Sequence, residues 1–125
     1  MKKHILILDD EANILELLGQ FLSSSGYQVT PVATASDALK IIRSESPDLV
    51  ISDLQLEDSD GLELIAQLKK EAPNTPVILL TGVLFDSDVV EKVLSKKVDR
   101  YLEKTSSLTK IRKTVESLLA PASSS

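Results

Sequence analysis

The chain has 125 residues, of which 42% are hydrophobic and 26% are charged, and its formal net charge is -5. These values indicate one globular domain and exclude an intrinsically disordered chain, and the acidic balance disfavours autonomous binding to nucleic acid. Cysteine is absent, which excludes disulfides and thiol catalysis. The sequence also contains no apolar run long enough to span a bilayer and no secretory start, so we expect a cytoplasmic protein.

Apolar strand patterns alternate with helical patterns along the chain. The first strand is predicted at His4–Leu8. A helix follows from Ala12 to Ser24, with these apolar residues at helical spacing: Ile14, Leu17, Leu18, Phe21 and Leu22. Gly26 is typical of a residue that ends a helix. A shorter second strand is predicted at Gln28–Val32, and its proline favours a position at the edge of the sheet.

The middle of the chain contains two helix starts and the central strand. Thr34–Asp37 resembles a capping box and predicts the start of the second helix, before the strand Leu49–Asp53. Asp60–Glu63 predicts the start of a third helix, which should end before Pro73 because the residue before a proline disfavours the helical conformation. The fourth strand is predicted at Pro76–Thr81.

The last part of the chain completes an alternating α/β pattern. A helix is predicted to begin at Asp86 or Ser87, a short fifth strand covers Arg100–Glu103, and Ser107 caps a last helix. Five strands alternating with five helices predict an α/β fold with a doubly wound parallel sheet and helices on both faces. Residues 1–119 are predicted to form the domain, and residues 120–125 a flexible tail or the start of a linker.

Acidic residues follow two of the predicted strands. Asp9 and Asp10 come directly after the first strand, and Asp53 ends the third. In open α/β sheets, ligands bind at the carboxyl ends of the strands. Three carboxylates without histidine or cysteine suit Mg²⁺ or Mn²⁺. A single such acid would be interpreted as a solvated loop residue or a helix cap, but the adjacent pair and the third acid together favour a metal site.

A hydroxyl and an ammonium group are predicted at the same edge. Thr81 ends the fourth strand, and Lys104 follows the fifth. A carboxylate beside a divalent ion can attack a phosphoryl group, and a hydroxyl and a cation can stabilise the transferred oxygens. The whole set is what aspartyl phosphorylation requires, although each of the two residues alone would be an ordinary strand threonine or a solvated lysine.

From Ile5 to Leu119 the chain resembles the receiver domains of two-component response regulators. The resemblance rests on five motifs in order: Asp9-Asp10, Asp53, Asp60-Gly61, Thr81-Gly82 and Tyr101-Leu102-Glu103-Lys104. It implies a flavodoxin-like sheet with strand order 2-1-3-4-5. It also implies a signalling switch that receives a phosphoryl group from a histidine kinase or a histidine phosphotransfer protein.

The resemblance also implies a metal site and a phosphoacceptor. Asp53 would accept the phosphoryl group. Mg²⁺ would be held by Asp10, Asp53 and the backbone carbonyl of Gln55, with Asp9 acting on it directly or through a water molecule.

Further roles are implied for three residues around that site. Thr81 would bond the acyl phosphate, Lys104 would pair with it, and Tyr101 would be the aromatic switch that turns inward as Thr81 moves. Output would pass through the helix between the fourth and fifth strands, the fifth strand and the last helix. That surface would contact an output domain or a protein partner, without direct contact to nucleic acid or membrane.

The chain departs from the family pattern near the site. Glu57 and Thr105 stand where the family usually has proline, and Lys97 stands where it usually has glycine. The family's bond after the lysine is commonly cis. Because a non-proline cis bond costs roughly 3–4 kcal/mol, a trans peptide is predicted between Lys104 and Thr105.

Three other functions remain open. A Mg²⁺-dependent phosphohydrolase could use Asp53 as its nucleophile, but such enzymes usually carry a second acid at the position of Gln55. A flavin or nucleotide binder would need a phosphate loop after the first strand, where Asp9–Glu11 would repel phosphate. The third is a scaffold of the same fold that is never phosphorylated. The lone histidine, His4, starts the first strand at the end away from the acids and is a poor ligand candidate.

Overall fold

The described part of the chain forms one parallel sheet. The computed structural model describes residues 3–53, 61–81, 100–103 and 107–119, with the backbone alone at 61–63, 81, 101 and 103. The strands are β1 (His4–Leu8), β2 (Gln28–Val32), β3 (Leu49–Asp53), β4 (Val77–Thr81) and β5 (Arg100–Glu103). Their order is β2-β1-β3-β4-β5, and all four neighbouring pairs are parallel. The predicted α/β class with a parallel sheet is confirmed, and β2 lies at an edge as its proline indicated.

Four helices accompany this sheet within the described residues: α1 (Ala12–Ser24), α2 (Ala35–Glu45), α3 (Gly61–Glu71) and α4 (Leu108–Leu119). The helix predicted to begin at Asp86 or Ser87 lies outside the described residues, as does the predicted tail. None of the helices in the described ranges is both long enough and apolar enough to cross a membrane.

The two faces of the sheet carry separate apolar cores. Side chains alternate along a strand, so β1, β2, β3 and β4 each contribute to both faces. One core joins α2 and α3 to sheet residues such as Leu8, Val50 and Leu79. The other joins α1 and α4 to residues such as Ile51 and Leu80. Because β1, β3 and β4 are covered on both sides, they are apolar almost throughout, and the polar residues at their ends stand out.

Local signals end α1 where the sequence indicated. Gly26 has a φ of +101°, a left-handed conformation that glycine adopts without steric cost. Its N–H donates to the carbonyl of Ser23 at 3.1 Å, and the N–H of Tyr27 donates to the carbonyl of Leu22 at 3.2 Å. This pair of bonds is a Schellman motif. It turns the chain directly into β2.

Side-chain caps begin two of the other helices. The hydroxyl of Thr34 accepts a hydrogen bond from the N–H of Asp37 at 3.2 Å. The hydroxyl of Ser107 accepts one from the N–H of Lys110 at 3.1 Å. Both caps were predicted and are confirmed. They satisfy backbone donors that the first helical turn leaves without an intrahelical acceptor.

Leu17 departs from its predicted position on the apolar face of α1. Its side chain is 51% exposed, whereas Leu18 and Leu22 are 2% and 0% exposed. Adjacent helical residues point about 100° apart, so the packing of Leu18 against the sheet turns Leu17 toward the flank of the helix. Helical spacing predicted an apolar stripe that is wider than the surface actually covered.

Candidate functional site

The acids predicted to converge do so at the carboxyl ends of β1 and β3. Asp9, Asp10 and Asp53 each offer a carboxylate oxygen, and these oxygens lie within 4.8 Å of one another. The two strands are neighbours, and their register pairs Leu8 with Ser52. Each strand therefore delivers its acid at the same level of the sheet. The parallel topology brings together residues that are more than forty positions apart in the sequence.

Asp9 is the innermost of the three and is held by backbone contacts. Only 1% of the surface of Asp9 is exposed. Its Oδ1 accepts a hydrogen bond from the N–H of Glu11 at 2.9 Å. Its own N–H donates to the carbonyl of Val32 at 3.2 Å, which extends the contact between the two chain segments beyond β1. The Asp9 carboxylate is therefore oriented by the turn that leads into α1.

Asp53 and Asp10 differ in their access to solvent. Asp53 is 4% exposed and ends β3, on the same face as Ile51, because it lies two residues further along the strand. Asp10 is exposed and lies in the bend between β1 and α1. A ligand can therefore reach the acids from the side of Asp10, while Asp9 and Asp53 form the buried wall of the site.

The donor set fits a hard divalent cation. Carboxylates this close repel one another when charged, and a bound cation would offset that repulsion. The cluster contains oxygen donors only, which suits Mg²⁺, Mn²⁺ or Ca²⁺ better than metals that favour nitrogen or sulfur. The residues present therefore fit the metal that the sequence indicated.

Thr81 and Tyr101 are placed by their backbones. Thr81 ends β4 and is paired with Glu103 of β5, and Tyr101 is paired with Leu79. Asp53 is paired with Leu80, so Thr81 follows at the same edge of the sheet.

Several predicted residues lie outside the described part of the chain: Gln55, Glu57, Asp60, Gly82, Lys97, Lys104 and Thr105. The roles assigned to them, and the trans peptide after the lysine, stay predictions.

His4 lies at the opposite end of β1 from the acids. His4 is 8% exposed, and its Nε2 lies 2.7 Å from the hydroxyl oxygen of Thr30. Its backbone N–H donates to a carboxylate oxygen of Asp48 at 2.8 Å. The ring joins β1 to β2 and takes no part in the acidic cluster.

One polar residue beside the site was not predicted from the sequence. Ser52 precedes Asp53 and is fully buried, and its hydroxyl donates to the backbone carbonyl of Asp53 at 3.1 Å. The available signal was a single hydroxyl within an otherwise apolar strand, directly before the acid.

Comparisons with known proteins identify the family of the chain. The family model described as "Response regulator receiver domain" matches residues 5–116. The alkaline phosphatase synthesis transcriptional regulatory protein PhoP of Bacillus subtilis is 34% identical over 121 residues, which cover 95% of this chain and 49% of that protein. The transcriptional regulatory protein GlrR of Escherichia coli is 42% identical over 79 residues, which cover 63% of this chain and 18% of that protein.

A solved structure gives the same result. The CheY-like response regulator receiver domain protein from Methanospirillum hungatei superposes with a TM-score of 0.86 at 32% identity, covering 94% of each chain. The chain spans about half or less of the length of the curated relatives described above. The family match covers most of the sequence and includes both strands that carry the acids. The chain therefore belongs to the response regulator receiver domains, which are phosphorylation-controlled signalling switches.

Proposed function

We propose that Asp53 is the phosphoacceptor of this receiver domain and that Asp9 and Asp10 hold Mg²⁺ beside it, together with the backbone carbonyl of Gln55. The observation that carries the proposal is the approach of the three carboxylates to within 4.8 Å at the carboxyl ends of β1 and β3. Asp53 is the member of this set at the end of the central strand, and it is almost completely buried.

The proposed chemistry is a transfer between a phosphohistidine and a carboxylate. A carboxylate oxygen of Asp53 attacks phosphorus, the P–N bond breaks, and the imidazole leaves with a proton from solvent. Bound Mg²⁺ supplies positive charge to the phosphoryl oxygens. Asp9, oriented by the N–H of Glu11, and Asp10 keep their oxygens toward the cation. The protein's contribution is to hold these oxygens in place before the donor arrives.

Three further roles are proposed around the acyl phosphate. Thr81 donates its hydroxyl to a phosphoryl oxygen, and Lys104 pairs with the phosphoryl group. Tyr101 turns inward as Thr81 moves. The role of Thr81 is supported by its position, because β4 ends at Thr81 on the same edge of the sheet as Asp53. The helix predicted to begin at Asp86 or Ser87 would form the surface that carries the output, together with β5 and α4.

The proposed partners follow from the family and from the relatives. The donor is a histidine kinase or a histidine phosphotransfer protein. Because two relatives carry the description of transcriptional regulators and are at least twice as long as the matched region, we propose that an output domain or a separate protein receives the signal. The domain catalyses at most its own phosphorylation and dephosphorylation. A cytoplasmic location stays part of the proposal.

Mass spectrometry after incubation with acetyl phosphate and Mg²⁺ tests the phosphoacceptor. We expect one added phosphoryl group that hydroxylamine removes, since an acyl phosphate is sensitive to that nucleophile. Asp53→Asn should abolish the labelling because the amide is a far weaker nucleophile. Asp37→Asn, an isosteric change at an exposed acid of α2, is the matched control and should leave the labelling intact.

Three results would contradict the proposal. Labelling that persists in Asp53→Asn would assign the phosphoryl group to another residue. A wild-type protein that takes up no phosphoryl group would instead support the scaffold function. Continuous hydrolysis of p-nitrophenyl phosphate that Asp53→Asn abolishes would support the phosphohydrolase.

A further inference from the structure

A buried serine lies in the layer of the sheet that faces α2 and α3. Ser52 is 0% exposed. It is paired across the sheet with Leu8 on β1 and Leu79 on β4, which are both buried in the same apolar core. A buried hydroxyl lowers stability unless it is hydrogen-bonded. Alanine would fill nearly the same space without that cost, so packing alone does not account for a serine here.

The hydroxyl of Ser52 is bonded to the phosphoacceptor's own backbone. Its Oγ donates to the carbonyl oxygen of Asp53 at 3.1 Å. That carbonyl belongs to the peptide by which the chain leaves β3 toward Gln55. The register between β1 and β3 ends at the pair Leu8–Ser52, whereas Asp53 is still paired with Leu80 on β4. The bond therefore supports the backbone at the point where one of its two neighbouring strands has ended.

We infer that Ser52 is a positioning residue for phosphoryl acceptance. Its hydroxyl fixes the backbone carbonyl of Asp53, and through that backbone it sets the direction of the Asp53 carboxylate. Ser52 touches neither the cation nor the phosphoryl group, because consecutive strand residues point to opposite faces. The inference rests on the proposed function, since it assigns Ser52 a role only if Asp53 binds Mg²⁺ and accepts phosphate.

The test compares Mg²⁺ affinity among variants of the whole chain. Mg²⁺ is titrated into ¹⁵N-labelled protein, and the amide shifts give the Kd. We expect Ser52→Ala to weaken Mg²⁺ binding by about tenfold, the lower end of what removing a residue that orients metal ligands costs. The rate of labelling by acetyl phosphate below saturating Mg²⁺ should fall in proportion. Ser52→Thr keeps the hydroxyl and should bind Mg²⁺ nearly as the wild type does.

Val50→Ala is the matched control for a general loss of stability. Val50 lies two residues earlier on the same face and is 1% exposed. Its truncation should lower the melting temperature through the cavity it leaves, while the Mg²⁺ affinity stays that of the wild type.

Three results would overturn the role of Ser52 while leaving the proposed function intact. In each, the wild type binds Mg²⁺ and is labelled at Asp53. They are an unchanged affinity in Ser52→Ala, an equal loss in Ser52→Thr, and an equal loss in Val50→Ala. A wild type that neither binds Mg²⁺ nor is labelled contradicts the proposed function itself, and the assignment of Ser52 with it.

Discussion

Asp9 and Asp10 are adjacent in the sequence but occupy different environments. Asp9 is 1% exposed and accepts the N–H of Glu11, whereas Asp10 is exposed at the mouth of the cluster. Replacing Asp9 would disturb both the cluster and the turn into α1. Replacing Asp10 removes a carboxylate with little change in burial, so Asp10 is the better residue at which to measure the contribution of the acids to metal binding.

Asp10→Ala should remove most of the stabilisation that Mg²⁺ gives the wild type. A cation that binds only the folded state stabilises it by about 1.4 kcal/mol at roughly ten times its Kd. In a domain of this size that corresponds to an increase of about 5 °C in melting temperature. Without Mg²⁺, Asp10→Ala should melt at or above the wild-type temperature, because one repelling charge has gone. Thermal melting with and without MgCl₂ measures both effects.

Glu16→Ala is the control for this experiment. Glu16 is an exposed acid on α1 and lies outside the cluster, so its removal changes the net charge without changing the proposed ligands. Its Mg²⁺ response should match that of the wild type. If Asp10→Ala keeps the full Mg²⁺ response, the proposed metal site is wrong.

At the scale of single elements, local sequence signals were sufficient in most of the described chain. β1, α1, β2, β3 and β5 have the predicted bounds, because apolar periodicity and caps act within a few residues. Leu17 shows the limit of such signals, because its exposure depends on how α1 is turned against the sheet. Spacing along one helix carries no information about its neighbours.

The N-cap of α2 gives a prediction at this scale. Thr34→Ala should lower the free energy of unfolding by about 1 kcal/mol, because the N–H of Asp37 loses its side-chain acceptor. The urea midpoint should fall while the slope of the transition stays unchanged. Thr34→Ser keeps the oxygen and serves as the control, with a midpoint close to that of the wild type. Equal losses in both variants would show that the hydroxyl of Thr34 does not stabilise the helix.

At the scale of the whole molecule, the site could be predicted because topology follows from the alternation of strands and helices. Parallel strands must expose their carboxyl ends at one edge, so the sequence alone predicts the cluster of Asp9, Asp10 and Asp53 that the structure shows. The hydrogen bond from Ser52 to Asp53 could not be predicted in the same way. It depends on the register and on the local backbone angles, which are set by packing across the sheet.

The site lies on the face of the sheet whose core also contains α1 and α4. Asp53 lies on the face of the sheet that carries α1 and α4, and Leu80 and Leu102 lie in the same core as α4. β5 is paired with β4, and the last pair, Thr81 with Glu103, lies at the edge of the sheet that carries the site. The other face packs against α2 and α3. A change at the acidic edge can therefore reach α4 through side chains packed in one core, whereas α2 lies on the opposite face of the sheet.

Hydrogen exchange with the phosphoryl mimic beryllofluoride tests this route. With Mg²⁺ and beryllofluoride, the amides of β5 and α4 should change their protection if Thr81 and Tyr101 have the proposed switch roles, because the mimic would then favour one of two states of that surface. The amides of α2 are the internal control and should change least. Asp53→Asn, which cannot hold the mimic, should exchange alike with and without it. Changes confined to the loops that carry the acids would show that the site binds its ligand without switching the surface.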